Sequence, residues 1–241
     1  MNKNKLAMRC KKRNAVFVFA TVALMALTLS ACGDDGRPAE TSGAPSAPAR
    51  ITKLVYKNDT QPFDYLKEAL AKGDRSIDQC AYALHEAGSI PLSETGDFSF
   101  SGGGPGYVTQ SSGDVATEME EGPMHIEITG RIEMKAFSEA MAKDTGSAVI
   151  GQGKYTHTAS ATKKSTFAKG DYESTSYTET AECELQITYY ADSNEIMLSA
   201  KDGYFDVNRS GKLTQSYDGD IEESAYEKVE QGYASFRFIP E

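Results

Sequence analysis

Ser160-Ala161-Thr162-Lys163 sets a lysine three residues after a serine, the spacing by which an amine can draw the proton from a serine nucleophile. That chemistry needs both side chains on one helical face. Ser160 falls instead in a run that alternates as a strand, with Tyr155, His157, Ala159 and Ala161 one way and Thr156, Thr158, Ser160 and Thr162 the other. No Gly-x-Ser-x-Gly elbow occurs, and His85, His125 and His157 lie too far apart for the sequence to assemble a Ser/His/Asp set. Asp206-Val207-Asn208-Arg209-Ser210-Gly211 matches the first half of a calcium loop, making Asp206, Asn208 and Ser210 the calcium candidates. The twelfth position is Tyr217 rather than a bidentate glutamate, so a hairpin turn is the simpler reading. His125-Ile126-Glu127 has one half of a zinc-hydrolysis signature without the cysteine half, and His157, on an apolar face, reads as a core histidine with its hydrogen bonds satisfied. Gly102 to Gly106 lacks the strand-to-helix frame of a phosphate cradle. The expectation is therefore no catalytic residue, no metal and no cofactor.

Cysteines carry a different message. Ile77, Cys80, Ala81 and Leu84 share one face of a helix running from Ser76 to Ala87, with Ser76 and Gln79 spaced as a capping box and Gly88 as its stop. Ala181, Cys183, Leu185, Ile187 and Tyr189 alternate with Glu182, Glu184, Gln186 and Thr188, a strand with one buried face. Both cysteines then point into one core, and a Cys80–Cys183 disulfide is expected; closing so long a loop would add about 4–5 kcal/mol. Two separate buried thiols are the alternative.

The elements that must position these residues are mostly strands. Ile51 to Lys57 alternates, Pro62 to Lys72 places Phe63, Leu66 and Leu70 on one helical face, and the Ser76 helix follows. Gly88 to Gly122 reads as loop, with short strands near Phe98 to Phe100 and Val115 to Met119. Met124, Ile126 and Ile128 alternate as a strand, and Glu133 to Lys143 fits either a helix, which is favoured, or a continuation of that strand. Turns near Lys169-Gly170-Asp171, Asp192-Ser193-Asn194, Asp202-Gly203 and Asn208 to Gly211 separate further strands, and Tyr233 to Phe238 closes the chain. The fold class expected is α+β, mostly antiparallel β: a meander forming a barrel or bent sheet, with two short N-terminal helices packed on it.

Residues 1–31 are unlike the rest. Lys3, Lys5, Arg9, Lys11, Lys12 and Arg13 precede an uncharged apolar run from Ala15 to Leu29, the pattern of a removable secretory signal and short of the roughly 20 residues of a membrane-spanning helix. It ends in Leu29-Ser30-Ala31-Cys32, which resembles the lipobox of bacterial lipoproteins. The resemblance implies cleavage after Ala31, fatty acylation of Cys32 and anchorage outside a membrane. Gly33 follows that cysteine rather than the aspartate that retains enteric lipoproteins at the inner membrane, so the location expected is the outer membrane, facing the periplasm; the inner membrane and the cell surface remain alternatives.

Cleavage removes six basic residues and no acid, leaving 19 basic against 35 acidic residues and a formal charge of −16. A chain this acidic has no Lys/Arg stripe for phosphates, so nucleic acid is excluded as a partner. Residues 32–50, the lipidated cysteine and a Gly/Ala/Pro/Ser/Thr segment without a large apolar residue, form a tether of about 25 Å. Residues 51–241 remain as one α+β domain. The function expected is that of a membrane-anchored envelope lipoprotein with a non-catalytic domain that binds an envelope protein or fills a structural role. A barrel-type carrier of a small hydrophobic ligand and a periplasmic hydrolase are the alternatives.

Overall fold

Sequence alternation becomes antiparallel pairing almost throughout the computed structural model. It describes residues 50–57, 64, 67, 68, 79–113 and 115–241. The chain divides into two units, Met1–Pro45 and Ser46–Glu241, and every described residue belongs to the second. The signal segment, Cys32, the tether up to residue 49 and the start of the Ser76 helix lie outside the described residues. So does most of the Pro62 to Lys72 helix, of which Asp64, Lys67 and Glu68 are helical.

Twelve strands form one sheet: β1 (Lys53–Lys57), β2 (Ser89–Pro91), β3 (Asp97–Gly104), β4 (Tyr107–Ser111), β5 (Ala116–Glu121), β6 (Met124–Ile132), β7 (Ser147–Thr166), β8 (Tyr172–Tyr190), β9 (Glu195–Ala200), β10 (Phe205–Tyr217), β11 (Asp220–Gly232) and β12 (Ser235–Pro240). Two helices are described, α1 (Gln79–Ala87) and α2 (Met134–Met141). The spine is the β7–β8 hairpin, 20 and 19 residues long. From Tyr155 to Ser165 and from Tyr172 to Tyr190 its strands run through segments rich in Tyr and Thr, types that suit a half-buried pleated surface, with no Gly or Pro to interrupt them.

The two halves of the spine have different neighbours. At one end the order is β2-β1-β12-β9-β8-β7-β6-β3, and this run curls into a half-barrel until the Leu92–Phe98 bridge joins its two edges. Phe98, Ile126, Ile128, Leu185, Ile187, Ile196, Leu198 and Phe238 fill its concave side. Gly130 makes room there, because a Cβ at that position would meet the Phe98 ring at 2.5 Å. At the other end β11, β10, β8, β7, β5 and β4 lie side by side in a second run, here termed the wing. Neither β5 nor β11 has a buried residue, so both faces of the wing meet solvent over much of its area.

Helix α1 ends at Gly88, whose N–H reaches the Leu84 carbonyl at 3.0 Å, and its Ala81, Ala83 and Leu84 are buried. Helix α2, the favoured reading of Glu133 to Lys143, buries Phe137 and Ala140, with the Phe137 ring edge-on to Tyr189 at 5.2 Å. Three expectations are corrected. Gly102 to Gly104 continue β3 rather than forming a loop, and Tyr107–Ser111 is a strand within the stretch read as loop. Asn208 to Gly211 is no turn: β10 runs straight through it, held by β8 on one side and β11 on the other. The hairpin turn lies instead at Asp218-Gly219, where both φ values are positive, 50° and 92°, as a two-residue type I′ turn requires.

Candidate functional site

The register places Ile126, His157, Ala181, Val207 and Glu230 in one row across five strands, with side chains on the concave face. Two residues toward the wing, Glu179 and Arg209 stand opposite each other on β8 and β10. This is where the curled half meets the wing. His157 is 6% exposed and lies between two polar partners, the Tyr155 hydroxyl 2.8 Å from Nδ1 and Glu179 Oε1 3.1 Å from Nε2. Glu179 Oε2 accepts from Arg209 Nε at 2.6 Å, and Arg209 Nη1 donates to Glu230 Oε2 at 2.5 Å. Lys228 pairs with the other Glu230 oxygen. Arg209 also lies over the Tyr177 ring, 5.3 Å from its centroid, and Tyr177 leans against Tyr226 across Gly211 at 5.6 Å.

The direction of this chain follows from its charges. Hydrogen bonding from His157, reinforced by Arg209 and opposed by burial, holds the Glu179 carboxyl below the usual glutamate range. An ionised Glu179 only accepts, so Nε2 of His157 donates to it, and the Tyr155 hydroxyl and Nδ1 share the next bond of the chain. The Tyr155 oxygen also lies 3.1 Å from the Cys80 sulfur, which in turn lies 3.5 Å from Met124 Sδ. The cluster is thus a connected relay of hydrogen bonds, and no buried side-chain nitrogen or oxygen among the described residues lacks a partner. Such a network fixes the geometry of the junction.

The expected Cys80–Cys183 bridge is not formed: neither sulfur is in a disulfide. Cys183 stands directly across the β7–β8 ladder from Tyr155, near its backbone, whereas Cys80 meets the hydroxyl end of the same ring. A phenol side chain therefore separates two sulfurs that a disulfide would bring to about 2 Å. Burial, with Glu182 adding to it, pushes the Cys183 thiol up to about 11, which leaves it protonated and a poor nucleophile at neutral pH.

The calcium candidates are also corrected. Asp206, Asn208 and Ser210 occupy alternate positions of β10, so they share a face but stand about 6.8 Å apart from one to the next, too far to converge on one ion. No cluster of three His, Cys, Asp or Glu side chains fit for a metal exists among the described residues. Ser160 and Lys163 lie on opposite faces of β7, and His125 and Glu127 form an exposed pair 3.4 Å apart on β6.

The convex face of the wing is different in kind. Thr158, Ser160 and Thr162 of β7, Ser174, Ser176, Thr178 and Thr180 of β8, and Asn208, Ser210 and Thr214 of β10 form a field of short neutral side chains in register, with Lys164 and Lys212 standing among them. Within it Ser160, Thr162, Ser176, Thr178 and Ser210, with Glu120 at the rim, line an open depression of about 350 Å³. Thr162 and Ser176 bond across the strands at 3.1 Å, while the others face solvent. The chain matches no family model, no curated protein and no solved structure.

Sequence reasoning placed His157 correctly on the inner face but passed over Glu179, Arg209 and Tyr177. The signal was present for two of them: the parity that turned Ala181 and Cys183 inward, carried back two and four residues, turns Glu179 and Tyr177 inward as well.

Proposed function

We propose that this chain is a membrane-anchored envelope lipoprotein, acylated on Cys32, whose β-rich domain binds another envelope component and catalyses no reaction. The anchor rests on the resemblance of Leu29-Ser30-Ala31-Cys32 to a lipobox. The binding role is carried by one observation: the spine strands run on past the packed half-barrel into a wing whose faces nothing covers among the described residues. A long stretch of ordered sheet outside the core stabilises the domain little for its length, which is sensible for a surface that meets a partner. The strongest polar groups, His157, Glu179 and Arg209, spend their hydrogen bonds on one another and hold the wing to the barrel. With an acidic mature chain, the lipid is its membrane contact, the periplasmic face of the outer membrane its location, and an envelope protein its partner.

The test has two arms. Cys32→Ala is expected to abolish acylation and release the protein from the membrane pellet; acylation at another residue would refute the anchor. Photocrosslinking residues placed at Thr178 and at Val229, both on the wing, are expected to capture an envelope protein in intact cells, whereas one at Val149, exposed at the far end of the spine, is not. Equal labelling at all three would refute a wing-borne partner.

A further inference from the structure

Strand β11 is an edge: it pairs with β10 and with no other strand among the described residues. The two-residue turn at Asp218-Gly219 makes Tyr217 and Asp220 a hydrogen-bonded pair, so the even-numbered residues of β11 spend their N–H and C=O groups on β10. The odd-numbered residues Ile221, Glu223, Ala225, Glu227, Val229 and Gln231 therefore turn theirs outward. An open row of this length is a template for another strand, and natural proteins shorten, bulge, charge or cover such edges, so what this edge admits is decided by its charges. This one carries two bare β-branched side chains, Ile221 at 63% and Val229 at 61% exposure.

Charge selects the occupant. The strand holds Asp220, Glu222, Glu223, Glu227 and Glu230 against Lys228 alone, and from β10 only Lys212, paired with Glu223, and Arg209, paired with Glu230, add positive charge beside it. A second copy pairing antiparallel about Ala225 would set Ile221 on Val229, which is favourable, but would set Glu223 on Glu227 twice, which is not. A segment with β-branched residues at the ends and Lys or Arg at the two inner positions satisfies both requirements.

We propose that the outer edge of β11 docks an extended basic segment of another protein, added to the wing as a further antiparallel strand. Its pattern is β-branched, any, Lys/Arg, any, small, any, Lys/Arg, any, β-branched, which pairs Val229 through Ile221 in order. Main-chain hydrogen bonds supply the hold, and the two cations facing Glu227 and Glu223 supply the choice of partner. This inference rests on the reading of the wing as a binding surface and adds the chemistry of what binds.

The probe is the acetylated, amidated peptide Val-Thr-Lys-Thr-Ala-Thr-Lys-Thr-Val, fluorescently tagged and titrated by anisotropy against the full mature chain. A scrambled peptide of equal composition tests for charge attraction alone. The expected result is saturable binding that is at least tenfold weaker for the scramble, with slowed amide exchange at the odd-numbered β11 residues. Ala225→Pro removes an outward N–H and no bond to β10, so it is expected to weaken binding at least tenfold while leaving the fold intact. The pair Glu223→Lys with Glu227→Lys is expected to transfer preference to the peptide with Glu in place of Lys. Equal binding of the scramble, or binding unchanged by Ala225→Pro, would overturn the proposal, as would a concentration-dependent dimer that Ala225→Pro dissolves. Loss of peptide binding alongside continued photocapture at Thr178 would sink the edge and spare the wing.

Discussion

Removing Glu179 is the perturbation whose cost the geometry sets most closely. Its carboxylate receives two bonds, from His157 Nε2 at 3.1 Å and from Arg209 Nε at 2.6 Å, with its side chain 14% exposed. Glu179→Ala leaves a His157 donor unsatisfied in a residue only 6% exposed, costing about 1–3 kcal/mol. It also takes from Arg209 one of two carboxylates. Fully orphaning a buried charge costs about 3–5 kcal/mol, but Arg209 keeps Glu230 and is 24% exposed, so its share falls below that range. Together the loss is about 4 kcal/mol, or about 8–16 °C in melting temperature for a domain of this size.

Urea unfolding of the purified mature chain, followed by circular dichroism, measures it. In a His157→Phe background Glu179→Ala no longer orphans an imidazole donor, so the two substitutions are expected to couple by about 1–3 kcal/mol. The pH dependence has a definite sign. Because the native Glu179 carboxyl is held low, its contribution is fully present above the unfolded glutamate value of about 4.3 and fades as pH falls through the lowered native value. The gap between wild type and Glu179→Ala is therefore expected to narrow in acid. A loss under about 1 kcal/mol at pH 7, or a gap that widens on acidification, refutes the relay as a structural lock.

Three further outcomes are expected. Alkylation of the denatured, unreduced chain recovers both Cys80 and Cys183 as labelled free thiols; a crosslinked peptide containing the two would contradict the separation enforced by Tyr155. Millimolar calcium leaves the melting temperature of wild type and of Asp206→Ala alike within error, since a ligand at a hundredfold excess over its dissociation constant would add about 2.7 kcal/mol. Gly130→Val destabilises by about 2 kcal/mol or more, because its side chain must enter the space of the Phe98 ring, and Phe98→Ala in the same chain recovers part of that loss.

What the sequence discloses and what it hides divide along the spine. In the curled half, apolar alternation marks β6, the inner part of β8 and β9, because one face is buried and the other is not, and period two then appears as hydrophobicity. In the wing the same backbone geometry leaves no such trace. Both faces of β11, and of β10 beyond the buried Phe205 and Val207, meet solvent, so Asp220-Ile221-Glu222-Glu223-Ser224-Ala225 reads as a solvated acidic run although it is a strand. Asn208, Ser210 and Gly211 have the local preferences of a turn, and what overrides them is pairing on two sides, with Thr180, Thr178 and Tyr177 across one ladder and Val229, Glu227 and Tyr226 across the other. The real turn, Asp218-Gly219, carries the same Asp-Gly signature as Asp202-Gly203, but without alternating apolar flanks the signature alone did not distinguish it.

The same physics decides how the relay was hidden and why it sits where it does. A residue's face is set by parity, so Glu179 and Tyr177 belong inward with Ala181, but polar identity at an inward position looks like the end of a strand rather than its continuation. Whether such a position is buried depends on the partner that covers it, and Arg209 lies 30 residues away in a segment read as a turn. Long-range pairing creates both the burial and the ion pair at once. The junction is thus the place where an apolar interior gives way to a hydroxylated surface, and charge is tolerated there because His157 and Arg209 arrive together to satisfy Glu179. Replacing that cluster with apolar residues of similar volume would remove a directional constraint on the wing while leaving the half-barrel packed, so the orientation of the wing, more than the fold of the core, is what the relay secures.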